Sequence, residues 1–262
     1  MKNLIGFVLL GIPITVCAAE WTPPENTEPG AILQEAQDDA KKGDYETALA
    51  KHVWYHENAL KLDESSRGVR LSFALGYWEN LGKKYKPALE RLRKVRDQAA
   101  ETVLNKEEKA EIAQQAFEDL AAINEQLGEQ PKTAKLFLEV DKKNATLASV
   151  LYHFAQPGLL NAKEYEICGK YVDPDAEFKQ ISSLYEIMSG MGQNNPSLLA
   201  RANDTLTNNT SYLVALLAVT DKKEKATEIA ASAKKLRDDK RYHQSLDNAL
   251  EGKFPKSAAR FP

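Results

Sequence analysis

The sequence is poor in cysteine, with two residues, Cys17 and Cys168, in a chain of 262. If Cys17 lies in a leader that is removed, the mature chain keeps one cysteine and cannot form an internal disulfide. We then expect stability to come from packing. Basic residues are not in excess either, because 35 Lys and Arg face 38 Asp and Glu, a formal net charge of −3. Without a basic patch, nucleic-acid binding is not expected.

Alternation of apolar and polar residues, which is typical of strands, is also missing from the sequence. Apolar residues recur instead at helical spacing, as in Ile112, Ala116, Leu120, Ile123 and Leu127. The predicted fold class is all-α, with around a dozen helices. Glycine loops for phosphate, Gly-x-Ser-x-Gly motifs and metal-ligand clusters do not occur in the sequence. We therefore expect neither an enzyme nor a cofactor.

The first 19 residues have the pattern of a secretory signal peptide. Lys2 precedes an apolar run over residues 4–16, and small residues at 17–19 suit cleavage. The run is shorter than the about 20 residues that a membrane span needs. We expect a bacterial protein that is periplasmic or secreted. The alternative is a lipoprotein whose lipidated Cys17 holds an assembly component at the membrane surface.

The rest of the chain divides by composition into four parts. Residues 20–30 form a proline-rich, flexible lead-in, and residues 31–143 carry regular helical repeats. Residues 144–252 continue as less regular helical repeats, and residues 253–262 form a tail. Whether the two helical parts make one continuous array stays open.

Glycine, asparagine and proline residues indicate where helices are expected to begin and end. Gly43 is expected to end the first helix, because glycine adopts the left-handed backbone without strain. Residues 69–81 are expected to form one helix, and Asn105 is expected to cap a later one. The segment Gln156-Pro157-Gly158 predicts a turn. A helix is expected from Pro196 to about Val219.

An order of glycine turn, aromatic residue and alanine occurs at Gly43–Ala48 and again at Gly82–Ala88. Together with Leu75-Gly76, these positions resemble a degenerate tetratricopeptide-like repeat, in which alanines at 48, 88 and 134 are 40 and 46 residues apart instead of the standard 34. The resemblance implies antiparallel helix pairs in a right-handed superhelical array. It also implies a concave groove for a protein or peptide ligand, and it implies no chemistry.

The resemblance places Arg70 and Tyr77 on the helix that faces the groove. They are seven residues apart, two turns along one face, and an Arg with a Tyr there would clamp a carboxylate or a peptide backbone. Gln37 on the first helix and Asn124 on the fifth would join them. The alternative is a solvated face with an incidental ion pair.

His52 and His56 lie four residues apart, with Glu57 beside them, a spacing that two zinc ligands can use. A third ligand is not evident nearby, so hydrogen-bonding histidines are the alternative. Cys168 with His153 would be a candidate nucleophile, against the alternative of a small buried apolar residue. The sequence favours a non-enzymatic protein- or peptide-binding module over a metal-binding protein or an enzyme centred on the two histidines.

Overall fold

The computed structural model describes residues 21–25 and 27–256, and this part of the chain contains 13 α-helices and no strand. The all-α prediction is therefore confirmed. The predicted signal peptide with Cys17 lies outside the described residues, as do the last six residues. The helices are α1 Pro29–Lys42, α2 Tyr45–Leu62, α3 Arg67–Arg70, α4 Phe73–Lys84, α5 Lys86–Leu104, α6 Ala110–Gln126, α7 Gln130–Lys143, α8 Ala145–Asn161, α9 Tyr165–Tyr171, α10 Pro174–Gly192, α11 Pro196–Val219, α12 Lys223–Lys234 and α13 Lys240–Leu250.

Contacts divide the chain into two compact units, Met1–Tyr85 and Lys86–Pro262. In the first unit, α1 packs against α2, and α3 and α4 return against α2 after a 3₁₀ turn. The small core of this unit combines the apolar faces of α1, α2 and α4. Leu33, Tyr55, Ala59 and Ala74 form one buried cluster of this core, and other buried apolar residues of the unit are Ile32, Ala36, Ala48, Leu75, Trp78 and Leu81.

The second unit is built from successive helix pairs. α5 packs with α6, α7 with α8, and α10 with α11, while α12 and α13 both pack on α11. Its core is larger and holds several aromatic rings. Phe137 is fully buried and makes edge-to-face contacts with Phe117 and Tyr152, at centroid distances of 6.4 and 6.3 Å.

Several helix ends follow the local sequence. Gly43 has φ +89° and closes α1 in the left-handed conformation, as predicted. Asp44 then caps α2, since its side chain accepts a hydrogen bond from the Thr47 N–H at 3.4 Å. α11 runs from Pro196 to Val219, as predicted, and the Asn195 side chain accepts from the Leu198 N–H.

The prediction of one helix over residues 69–81 is wrong, because the chain breaks between α3 and α4. Ser72 has φ −131° and ψ −90°, and its hydroxyl donates to the Gly68 carbonyl at 2.5 Å. This local bond competes with continuation of the helix. The break sets α3 apart as a single short turn.

The predicted turn at Gln156-Pro157-Gly158 is also wrong, because these residues lie inside α8. Pro157 removes its own N–H from the helix and its ring crowds the carbonyl four residues before it, so the local sequence disfavours a helix here. Gly158 lies so close to the start of α7 that a β-carbon there would be 3.1 Å from the Gln130 carbonyl oxygen. Packing between α7 and α8 therefore overrides the local turn signal.

Asn105 does not cap α6, which begins five residues later at Ala110. Its side-chain oxygen accepts from the Glu107 N–H at 3.1 Å, which closes a turn two residues on. The segment between α5 and α6 is therefore a polar loop rather than the first turn of a helix.

Candidate functional site

Arg70 and Tyr77, the predicted groove residues, both lie in the first unit. Arg70 is only 4% exposed. Its Nε donates to the His56 carbonyl oxygen at 2.7 Å, and its Nη2 lies 3.2 Å from His56 Nε2. Tyr77 is half-buried against the small core. The guanidinium therefore joins α3 to α2.

The side-chain amides of Gln37 and Asn124 also form hydrogen bonds with nearby residues. Gln37 is half-buried in the first unit and donates to the Leu33 carbonyl at 3.4 Å. Asn124 belongs to the second unit, is fully buried, and donates to Thr133 Oγ1 at 3.0 Å. Each of these two amides serves a local contact, and they lie in different compact units.

The two histidines of the metal alternative are both buried and both contact Trp78. The His52 ring stacks on the indole at 6.0 Å with an interplanar angle of 17°, and His56 meets it edge-on. Burial lowers the pKa of His52 to about 4. Arg70 has only donors, so His56 Nε2 is the acceptor in their contact. Within the described residues, no group of three His, Cys, Asp or Glu side chains is placed to hold a metal ion.

Cys168 is completely buried in α9, and burial raises the pKa of its thiol to about 12. A thiol with that pKa remains protonated near neutral pH and is a poor nucleophile. His153 is exposed and lies against Phe154. The geometry matches a small buried side chain that fills the core of the second unit.

An apolar cleft opens where the α5–α6 loop meets the α7–α8 connection. Its volume is about 420 Å³, within the range of ligand sites. The floor and walls are aliphatic, and they come from the last turns of α5 and α7 and the first turns of α6 and α8. The apolar lining residues are Val103, Leu104, Ala110, Ala113, Val140, Leu147 and Val150.

Large apolar side chains remain in contact with solvent at this end of the second unit. Val150 lines the cleft and is 43% exposed, and Ile112, beside the lining residue Ala113, is 46% exposed. Exposed aliphatic side chains that border a concave apolar surface are typical of interaction sites. We call the lining residues together the apolar cleft.

The rim of the apolar cleft is polar and carries both signs of charge, with Lys106, Glu108 and Lys143 among its residues. Two asparagines stand at the loops on either side. The Asn105 and Asn144 side-chain oxygens accept N–H groups of their own turns, at 3.1 and 3.0 Å. These bonds leave the amide nitrogens as donors at the mouth of the cleft.

The sequence predicts a helix cap at Asn105 and does not connect this residue with Val140 or Asn144. The chain between the two loops is about 40 residues long. The packing of α5 with α6, α7 with α8 and α6 with α8 brings the loops together. The sequence offers one indication of this site: an asparagine directly follows the apolar stripe of α5 and another directly follows that of α7.

The helices in the described part of the chain include none with the length and apolarity needed to cross a membrane. Comparison of the chain with protein-family models, curated proteins and solved structures gave no match. The geometry of the sites therefore provides the basis for assigning a function.

Proposed function

We propose that this chain is an exported, tetratricopeptide-like helical repeat protein that holds a protein or peptide segment without changing it chemically. The observation that carries the proposal is the apolar cleft between the α5–α6 and α7–α8 connections. The site we propose is this cleft rather than the predicted groove residues, because Arg70 and Asn124 are buried and hydrogen-bonded to neighbouring residues.

The shape and lining of the apolar cleft favour a segment with a few large apolar side chains. A volume of about 420 Å³ accommodates two or three such side chains rather than a folded domain. Burial of aliphatic area supplies the attraction, at about 25 cal/mol per Å². Val103 and Leu104 on α5 and Leu147 and Val150 on α8 all line this space.

The polar groups at the mouth suit a peptide backbone. A bound segment brings carbonyl oxygens that need donors when they leave water. Asn105 and Asn144 both line the apolar cleft, and their side-chain nitrogens are hydrogen-bond donors. Lys106 adds a cation at the rim, which favours a segment that carries an acidic residue next to its apolar side chains.

Panning a random peptide library on the purified chain tests this proposal. We expect the enriched peptides to share two or three large apolar residues with an acidic neighbour. A synthetic peptide of that sequence should bind with a micromolar Kd. Val150→Lys should weaken its binding about tenfold or more, since it puts a charge at the apolar wall.

Ile187→Lys is the matched control. Ile187 is 61% exposed on α10 in the same unit and does not line the apolar cleft. Its replacement should leave peptide binding unchanged. Failure to enrich any shared sequence, or equal effects of the two lysine substitutions, would reject the apolar cleft as the binding site.

A further inference from the structure

The segment that follows α13 carries the same short sequence twice. Lys253-Phe254-Pro255 recurs seven residues later as Arg260-Phe261-Pro262. In both copies a basic residue precedes a Phe-Pro pair, and none of the other phenylalanines of the chain is followed by proline. The first copy lies in the described part of the chain, so its contacts show what such a segment binds.

Phe254 packs against two tyrosines from neighbouring helices. Its ring stacks on that of Tyr165 in α9, with a centroid distance of 4.4 Å and an interplanar angle of 10°. The Tyr212 ring in α11 lies 5.4 Å from the Phe254 ring. Such ring contacts are favourable beyond the apolar area that they bury. We call Tyr165 and Tyr212 the tyrosine pair.

The burial of the segment indicates which of its residues make the contact. Phe254 and Pro255 are half-buried, whereas Glu251, Lys253 and Lys256 are exposed. The Lys253 ammonium pairs with Glu251 at 2.5 Å and so remains at the surface. The part of the segment that packs on the protein is therefore the Phe-Pro pair, which is the part that the sequence repeats.

The end of α13 directs the first copy to this position. Gly252 has φ +79°, and its N–H donates to the Ala249 carbonyl at 2.8 Å. The Lys253 N–H donates to the Asn248 carbonyl at 3.1 Å. These bonds close the helix with a left-handed glycine. Because the Phe254 ring is only half-buried, it can leave the tyrosine pair without opening the core.

Phe261 is near enough along the chain to take the same position. It follows Phe254 by seven residues, and the cost of closing a loop rises only slowly with its length. An extended chain covers about 3.4 Å per residue, so the chain after Gly252 is long enough to bring Phe261 back to the tyrosine pair. A ligand on the same chain has a millimolar effective concentration, which a second molecule at micromolar concentration does not match.

We propose that Phe261 and Pro262 are a second, interchangeable anchor for the tyrosine pair of the same chain. The segment after α13 then has two registers, one with Phe254 docked, as observed, and one with Phe261 docked and residues 253–259 looped out. The first register is the more stable, because the bonds at Gly252 support it. The second maintains the contact with α9 and α11 when Phe254 is displaced.

The NMR signals of the Tyr165 and Tyr212 side chains in the full chain test this proposal, because a stacked phenyl ring shifts them upfield. Phe254→Ala should keep about half or more of this shift, since Phe261 takes the vacated position. Phe261→Ala should leave the shift unchanged, and the double variant should lose it. An equal loss in Phe254→Ala and in the double variant would overturn the proposal.

Phe254→Ala combined with Arg260→Ala is the matched control for the double variant, because it alters the same segment and keeps Phe261. It should retain the shift of Phe254→Ala. Dilution identifies the source of the ring. The shift that Phe254→Ala retains should not depend on protein concentration, and its loss on dilution would mean that a second copy supplies Phe261.

Photocrosslinking provides a measurement that does not depend on chemical shifts. In the Phe254→Ala protein, p-benzoylphenylalanine at position 261 should crosslink on irradiation to peptides of α9 or α11 within the monomer. Mass spectrometry of the digested monomer identifies these peptides. Crosslinks that avoid both helices would reject the second anchor.

Discussion

Each compact unit contains an ionisable group whose pKa is shifted by desolvation, and the two pKa shifts have opposite directions. In the first unit, burial lowers the pKa of His52 to about 4. In the second, burial raises the pKa of Glu177 to about 7. Both shifts favour the neutral side chain, because a charge is poorly solvated inside a protein. Acid should therefore weaken the first unit, whereas alkali should weaken the second.

The polar groups inside the two units also differ. The first unit buries the cations Lys51 and Arg70, and the Lys51 ammonium is held by Asp39 at 2.7 Å and Glu35 at 2.8 Å. The buried polar side chains of the second unit are mostly neutral. Because buried charged contacts stabilise the core of the first unit, reversing one of these charges should lower its free energy of unfolding strongly.

The tryptophans allow the two units to be observed separately. Trp21, Trp54 and Trp78 are the three tryptophans of the sequence, and all belong to the first unit. Their fluorescence reports on unfolding of that unit. The second unit can be followed by the amide signals of α8 and α10.

The largest effect is expected from Arg70→Glu in the first unit. The substitution puts a carboxylate beside the His56 carbonyl oxygen, where the guanidinium now donates at 2.7 Å. This substitution removes a buried charged donor and places a negative carboxylate beside the partly negative carbonyl oxygen. It should lower the free energy of unfolding by about 3–5 kcal/mol. Urea unfolding followed by tryptophan fluorescence measures this change.

Arg67→Glu is the control for that comparison, because Arg67 is exposed on the same short helix. Its reversal should change the unfolding free energy by less than about 1 kcal/mol. Equal destabilisation by the two substitutions would mean that the buried contacts of Arg70 do not fasten the first unit.

An intermediate effect is expected at His52, and it depends on pH. The folded-state pKa lies below the ordinary value of 6.5, so the unfolded state binds the proton more tightly. Stability of the first unit should be complete above pH 6.5 and should fall by up to about 3 kcal/mol as the pH drops through about 4. His52→Phe keeps a ring against Trp78 and should remove most of this loss.

Urea unfolding at pH 7 and pH 4, followed by tryptophan fluorescence, measures that change. His153→Phe removes an exposed histidine of the second unit and serves as the control. The His153→Phe protein should show the same pH dependence of unfolding, measured by tryptophan fluorescence, as the parent protein. If the His52→Phe protein loses as much stability in acid as the parent, the burial of His52 is not the cause.

Local signals account for the part of the fold that the sequence predicted. A left-handed glycine at 43 and a capping asparagine at 195 act within one turn of the chain, so their effect does not depend on distant residues. Pro157 and Gly158 predict a turn equally clearly, but this prediction is wrong because both residues lie inside α8. The close approach of α7 decides the conformation there, and only tertiary packing provides that information.

The candidate sites were less predictable for the same reason. Arg70 lies two helical turns before Tyr77 only if one continuous helix joins them, and the break at Ser72 cancels that register. The apolar cleft depends on loops about 40 residues apart in sequence meeting at one end of the second unit.

The smallest effect is expected at Glu177, where the pH dependence has the opposite sign. Gln156 Nε2 donates to both carboxylate oxygens, at 3.0 and 3.1 Å, which favours the charged form. Burial outweighs this, and the nearby Asp173 charge acts in the same direction, so the pKa rises to about 7. The group is half-buried beside a pocket of about 140 Å³, so solvent screening reduces its energetic effect to about 1–2 kcal/mol.

Because the folded-state pKa of Glu177 exceeds the ordinary value of 4.5, the folded state binds the proton more tightly. Stability of the second unit should be complete below pH 4.5 and should fall as the pH rises through about 7. Glu177→Gln should remove that fall, whereas Glu186→Gln, exposed on the same helix, should preserve it. Urea unfolding at pH 5 and pH 8, followed by the amide signals of α8 and α10, distinguishes the two. If both variants show the same pH dependence, Glu177 does not cause the loss of stability at high pH, and only His52 would then distinguish the two units.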